Sequence, residues 1–311
     1  MNCFRKCFLA AFATVIAFLI TGCSGESESG TPGILVSTEW LQNQRNDPDL
    51  VLLHSGTAEL FDSLHIPGAR LIIPASITVY ADSVRNELPH PDSILTLLRS
   101  VGVNNESRIV LYHETSRLLT RTTRVYVTLD HVGLGNQTFV LNGGLPAWQE
   151  EDRETTSMSP EFSYGNLDVP DVKEVIIRAA ELDRQRWSPE LVVIDTRSDE
   201  EYFGTPGTEE APAKGGHIEG AYFLPYQDLL LDDRPYLFKP DPELEKLFRN
   251  AGMDPKKNTV LYCGSGIRAT ASYVAAKHLG YPALLYDGSY EDWRRLDLPL
   301  TGPVAIPDTI E

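Results

Sequence analysis

Short apolar runs alternate with amphipathic stretches over most of the chain. Leu191–Ile194 is an uninterrupted apolar run of strand length, and Pro242–Asn250 places apolar residues at helical spacing. Thr259–Tyr262 is strand-like again, and Ala269–Leu279 carries Tyr273, Val274, the Lys277 stem and Leu279 at helical spacing. Strands that alternate with helices in this way predict an α/β fold, a mainly parallel sheet covered by helices.

The pattern occurs twice. Leu98-Arg99-Ser100-Val101-Gly102-Val103 matches Phe248-Arg249-Asn250-Ala251-Gly252-Met253 at a spacing of 150, and Ile109-Val110-Leu111-Tyr112 matches Thr259-Val260-Leu261-Tyr262 at the same spacing. His65-Ile66-Pro67-Gly68-Ala69 pairs with His217-Ile218-Glu219-Gly220-Ala221, and Asn142-Gly143-Gly144 with Trp148 echoes Asp287-Gly288-Ser289 with Trp293. Two copies of one domain are expected, over 34–150 and 172–300. A linker rich in Glu, Asp, Ser, Thr and Pro joins them over 151–171, and 301–311 reads as a tail.

Composition changes the picture mainly at the start. Arg5 and Lys6 precede the 13-residue apolar run Phe8–Ile20, shorter than the roughly 18 residues of a bilayer span. Residues 1–22 therefore read as a cleaved export signal. Ile20-Thr21-Gly22-Cys23 resembles the lipobox of bacterial lipoproteins, which implies a lipid on Cys23, a flexible tether over 23–33, and a folded part on the periplasmic side of the outer membrane. An ordinary signal with an accidental flanking cysteine is the alternative. Removing residues 1–22 leaves 289 residues and takes the formal charge from −17 to −19. So acidic a body disfavours nucleic acid and anionic lipid heads, leaving the lipid anchor as the only membrane contact. A small anionic substrate stays compatible, because salt screens charges beyond about 8–10 Å.

Cysteine usage narrows the chemistry. Cys3 and Cys7 leave with the signal and Cys23 sits at its end, so Cys263 is the one thiol left in the folded part. No disulfide framework and no C-x-x-C pair is possible. The seven histidines, at 54, 65, 90, 113, 131, 217 and 278, show no close H-x-x-x-H pairing, and no metal or cofactor is expected.

Cys263-Gly264-Ser265-Gly266-Ile267-Arg268 links the strand ending at Tyr262 to the helix beginning near Ala269. Two glycines permit backbone angles that turn successive N–H groups inward around the sulfur, and the helix dipole and Arg268 add positive potential. The cradle favours negative charge on the sulfur and suits a persulfide anion. Counting 150 back from Cys263 reaches His113, followed by Glu114–Arg121 without a glycine, and Asp195-Thr196-Arg197 aligns with His54-Ser55-Gly56. The first copy is therefore expected to be silent. His113 is placed on a loop, where solvation or packing is expected of it rather than chemistry.

Four rivals are weaker. Gly264-Ser265-Gly266-Ile267-Arg268-Ala269 fits a dinucleotide fingerprint, but only 24 residues follow Asp287, too few for the rest of such a fold. Cysteine phosphatases place five residues between Cys and Arg, whereas Cys263 and Arg268 bracket four. A buried core cysteine or a binding module without catalysis would not need two glycines and an arginine around the thiol.

In register, Asp195-Thr196-Arg197, Gly216-His217-Ile218-Glu219-Gly220-Ala221, Cys263–Arg268 and Tyr286-Asp287-Gly288-Ser289-Tyr290 resemble the motifs of the tandem rhodanese family, the thiosulfate and 3-mercaptopyruvate sulfurtransferases. Phe61 and His65–Ala69 carry the likeness into the first copy. The resemblance implies two rhodanese-like domains, the first inactive. It assigns the nucleophile to Cys263, the persulfide cradle to Gly264, Ser265, Gly266, Ile267 and Arg268, and charge stabilisation to Arg268. It makes Asp195 and Arg197 a structural ion pair and gives His217 a turn-capping role. A small anionic sulfur donor and a thiophilic acceptor, cyanide or a thiol, are the implied partners. Animal-type members carry a second arginine where this chain has Glu201, while Cys263-Gly264-Ser265-Gly266 resembles the mercaptopyruvate loop. Thiosulfate is the expected donor and 3-mercaptopyruvate the alternative. The mobile insertion Gly204–Gly215 is expected to overhang the site.

Overall fold

The computed structural model describes residues 33–81, 83–168, 172–205 and 215–302. The first half runs β1 (Leu35–Val36), α1 (Thr38–Gln44), β2 (Leu50–Ser55), α2 (Ala58–Ser63), β3 (Arg70–Ile72), a hairpin of β4 (Val79–Ala81) and β5 (Val84–Glu87), α3 (Pro91–Ser100), β6 (Arg108–His113), α4 (Leu119–His131), β7 (Thr138–Leu141) and α5 (Gly144–Glu150). The second runs β8 (Ile176–Ile177), α6 (Ala179–Gln185), β9 (Leu191–Asp195), α7 (Asp199–Phe203), β10 (His217–Ile218), β11 (Tyr222–Phe223), α8 (Asp241–Asn250), β12 (Asn258–Tyr262), α9 (Ala269–His278), β13 (Ala283–Tyr286), α10 (Ser289–Arg295) and β14 (Leu300–Thr301).

Each half forms a five-stranded sheet, β1-β7-β6-β2-β3 and β8-β13-β12-β9-β11, with every pairing parallel. The repeat seen in the sequence is thus a repeat of topology. β6 and β12 lie at the centre, and residues 109–112 and 260–262 are fully buried, as continuous apolar strands under helices on both faces must be. Trp148 and Trp293 fill equivalent places, both with no exposure, and each indole N–H finds a carbonyl just beyond its helix, Glu154 in one half and Pro299 in the other.

The halves meet through α4 and α9. α9 is buried from Ala269 to Ala276, and its small residues Ala269, Ala271, Ala275 and Ala276 allow α4 to approach closely. Thr123 and Thr270 hydrogen-bond across this seam at 2.7 Å. Lys277, expected to lend only its stem to a packing face, pairs with Asp130 of α4.

The linker packs on the first half: His65 and Thr156 exchange two backbone hydrogen bonds, Gly165 donates to the Arg99 carbonyl, and Arg99 Nε donates to the Leu167 carbonyl. Other expectations need correction. His113 is the last residue of β6 rather than a loop residue, because the apolar run extends one position further than its polar sequel suggests. His217 lies in β10, with its ring on the Tyr202 carbonyl in the last turn of α7, and β10 pairs antiparallel with β14, so Thr301 belongs to a strand rather than a tail. The leader with Cys23, the interior of the 204–215 insertion and residues 303–311 lie outside the described residues.

Candidate active site

Cys263 follows directly on β12 as a free, buried thiol. Its amide donates to Ser289 Oγ at 3.1 Å, and Ser289 Oγ donates in turn to the Tyr286 carbonyl at 2.8 Å. The first amides of α10 fix the next two carbonyls, Tyr290 N–H to Cys263 and Glu291 N–H to Gly264, both at 3.0 Å. With its carbonyls turned toward α10, the loop has its amides to spare. Among the described residues, the N–H groups of Gly264, Ser265, Gly266, Ile267 and Arg268 meet no protein acceptor. Five unpaired donors beside one sulfur form an anion cradle at the start of α9.

Of the two glycines, only Gly266 needs its freedom. Its φ is +79°, and a Cβ there would lie 2.4 Å from the Asp287 carbonyl oxygen. Gly264 has no left-handed angle; a Cβ there would lie 3.1 Å from the Arg268 guanidinium, so it gives room rather than curvature.

Arg268 is already answered. Its guanidinium makes two 2.7 Å bonds to the Glu201 carboxylate. Glu201 also closes the capping box at the start of α7 with Ser198. Burial raises the Glu201 pKa, but Arg268 and the Ser198 amide outweigh it and bring it down to about 2. The pair is therefore ionised at any physiological pH, and Arg268 acts within it rather than as a free loop cation. The position without the animal-type arginine is thus the partner of the loop's own arginine.

Asp195 and Arg197 are buried together, with Arg197 Nη2 2.6 Å from Asp195 Oδ2. Arg197 also donates to the Gly216 carbonyl at 2.6 Å and lies 3.8 Å over the Tyr290 ring, joining the end of β9 to the start of α10. Thr196 bonds the Tyr262 carbonyl through both its amide and its hydroxyl. The His217 ring stacks on Tyr202 at 3.8 Å and bonds the Tyr202 carbonyl. His65 stacks on Phe61 at 4.0 Å and bonds the Phe61 carbonyl in the same way. A feature present in both halves belongs to the fold rather than to the chemistry.

The sequence reading missed what the first half supplies. Asn86, in β5 with φ +61°, donates from Nδ2 to the Ser265 carbonyl at 2.8 Å. Arg124 of α4 is 1% exposed and pairs with Asp287, also 1% exposed, at 2.5 and 3.0 Å. Arg124 also donates to the Asn86 carbonyl, and Arg85 pairs with Glu291 of α10. The Cys263 loop is thereby held from across the seam, at Ser265 directly and at Gly266 through Asp287.

The place equivalent to the cradle in the first half is closed. His54 is bonded by Tyr112 at 2.9 Å and by Glu114 at 3.0 Å, and Glu114 accepts the Thr57 amide at 2.8 Å. His113 is fully buried with neither ring nitrogen bonded, and burial lowers its pKa to about 3. It is a neutral packing residue. Among the described residues no group of three or more His, Cys, Asp or Glu side chains is arranged to hold a metal.

The profile of the rhodanese-like domain matches residues 37–151 and again 178–296. The chain belongs to the rhodanese-like domain family. Among curated relatives, the sulfur carrier protein TtuD of Thermus thermophilus is 29% identical over 285 residues, covering 85% of this chain and 95% of the relative. A thiosulfate sulfurtransferase of Corynebacterium glutamicum is 28% identical, covering 86% and 89%. The crystal structure of SseA from Escherichia coli, named among 3-mercaptopyruvate sulfotransferases, superposes with a TM-score of 0.69 at 23% identity, covering 83% of this chain and 99% of SseA. That likeness is one of rhodanese fold.

Proposed function

We propose that the protein is a sulfurtransferase that carries a sulfane sulfur on Cys263. The observation that carries this reading is the run of five loop amides, without a protein acceptor among the described residues, that directly follows a single free thiol. The Cys263 thiolate attacks the outer sulfur of thiosulfate, a bond from Sγ to that sulfur forms, the S–S bond of the donor breaks, and sulfite leaves with the electron pair. The cradle holds the resulting persulfide anion through amides that need no reorganisation. Cyanide or a thiolate then attacks the outer sulfur and returns the thiolate of Cys263.

Thiosulfate is the preferred donor in this reading. With Arg268 paired to Glu201, the loop itself offers amides, which suit the sulfonate-like oxygens of thiosulfate, rather than a free guanidinium. The Cys263-Gly264-Ser265-Gly266 loop and the fold shared with SseA favour 3-mercaptopyruvate as a second reading. Turnover of the soluble chain with each donor and cyanide, beside Cys263→Ala, tests both. Loss of at least about a thousandfold is expected for Cys263→Ala. Equal background rates in the two proteins would refute the assignment. In the same proposal the chain works on the periplasmic side of the outer membrane as a lipoprotein, which fatty-acid labelling of wild type but not Cys23→Ala would establish.

A further inference from the structure

A cavity of about 410 Å³ lies between the halves, and Tyr226 in its lining interacts electrostatically with Arg268 and Cys263. One wall is the segment Ser116–Thr120 of the first half, the counterpart of the catalytic loop that has lost its glycines. The other wall includes Tyr226, Gln227 and Asp232 of the second half.

Two connections join this cavity to the reacting sulfur. The Thr120 carbonyl accepts the Thr270 hydroxyl at 3.0 Å, two residues after Arg268. Tyr226 donates its amide to the Thr196 carbonyl, and Thr196 is bonded to Tyr262, the residue before Cys263. The Tyr226 hydroxyl also stands in the field of the site: burial raises its pKa, Arg268 lowers it and Cys263 raises it.

The cavity is too large for the donor alone. The five non-hydrogen atoms of thiosulfate, at about 20–30 Å³ each, need roughly 100–150 Å³. A volume of 410 Å³ is that of a site for an organic molecule several times larger. Its charged groups are one of each sign. Arg117 and Asp232 both line it, and among the described residues neither is in an ion pair.

Resting on the sulfurtransferase reading above, we propose that this cavity is the acceptor subsite and takes a small zwitterionic thiol. Its carboxylate pairs with Arg117 and its ammonium with Asp232. The acceptor thiolate attacks the outer sulfur of the Cys263 persulfide. A bond forms between the acceptor sulfur and that outer sulfur, the bond from the outer sulfur to Sγ breaks with its electron pair on Sγ, and the acceptor leaves as a persulfide. The silent half thus contributes a residue that selects what accepts the sulfur.

The test uses the soluble chain loaded with sulfur from thiosulfate and discharged by four thiols. These are cysteine, 3-mercaptopropionate with the carboxylate only, cysteamine with the ammonium only, and 2-mercaptoethanol with neither. Ratios of kcat/KM within each protein, compared between wild type and variant, cancel the intrinsic reactivity of each thiol. Arg117→Gln should cut the preference for 3-mercaptopropionate over 2-mercaptoethanol by about three- to fivefold, through KM, with Arg117→Lys restoring most of it. Asp232→Asn should cut the preference for cysteamine by a similar factor, and both effects should shrink in high salt. Unchanged ratios in both variants would overturn the proposal. So would an Arg117→Gln defect in loading from the donor with discharge ratios intact, since the cavity would then serve the donor. Failure of the sulfurtransferase reading is distinct: wild type would show no Cys263-dependent transfer to cyanide at all.

Discussion

At the ends of the central strands β6 and β12 the two halves diverge, one into a sealed polar cluster and the other into a loop with donors left over. In the first half Tyr112, His54 and Glu114 satisfy one another, and Glu114 takes up the Thr57 amide as well. In the second, Asp195 and Arg197 lock the strand end while the amides of Gly264–Arg268 stay unpaired. Beneath this difference the braces are the same. Ile66 N–H donates to the Tyr112 hydroxyl at 3.2 Å, and Ile218 N–H to the Tyr262 hydroxyl at 3.0 Å. The two strand ends therefore differ without any collapse of the scaffold: in one the polar groups find partners among themselves, and in the other the loop amides do not.

The comparison breaks most easily at the seam. Arg124→Ala leaves Asp287 buried without its cation, and a loss of about 3–5 kcal/mol is expected in denaturant unfolding. A loss below about 1 kcal/mol would show that the pair is not a structural tie.

The next effect isolates the first half. An unfolded chain protonates His113 near its ordinary pKa of 6.5, while the folded chain resists until about pH 3. The unfolded state binds the extra proton, so this contribution is complete above pH 6.5 and is lost as pH falls toward 3. At pH 5 the loss is about 2 kcal/mol, and His113→Leu should flatten that part of the stability profile relative to wild type. Parallel profiles for the two proteins would contradict a buried neutral imidazole.

The smallest effect sharpens the dependence of one half on the other. Asn86→Ala should lower kcat about tenfold with a stability change within about 1 kcal/mol, since one neutral hydrogen bond orients the loop. Asn86→Gly tolerates the +61° backbone angle yet lacks the amide. If Gly restores full kcat, the backbone angle rather than the bond to Ser265 is what matters.

Much of this was legible in the sequence because it is local or periodic. The strand and helix alternation and the Cys263 loop can be read in short windows, and the repeat by matching such windows at a fixed spacing of 150. Asn86 and Arg124 cannot. They act on residues 179 and 163 positions away, and only the packing of α4 against α9 brings them there. In the sequence Arg124 is an ordinary helix charge and Asn86 one polar residue in a polar stretch. The pairing of Arg268 with Glu201 was hidden for the same reason, although Glu201 itself stood out as a departure from the family pattern.

α9 has one further consequence. From Ala269 to Ala276 it offers no side to water, and α4 is buried from Thr122 to Asp130. Their shared surface is core, continuous with the apolar interior of both sheets. Cutting the chain between the halves would expose this shared core, so neither half is a detachable module.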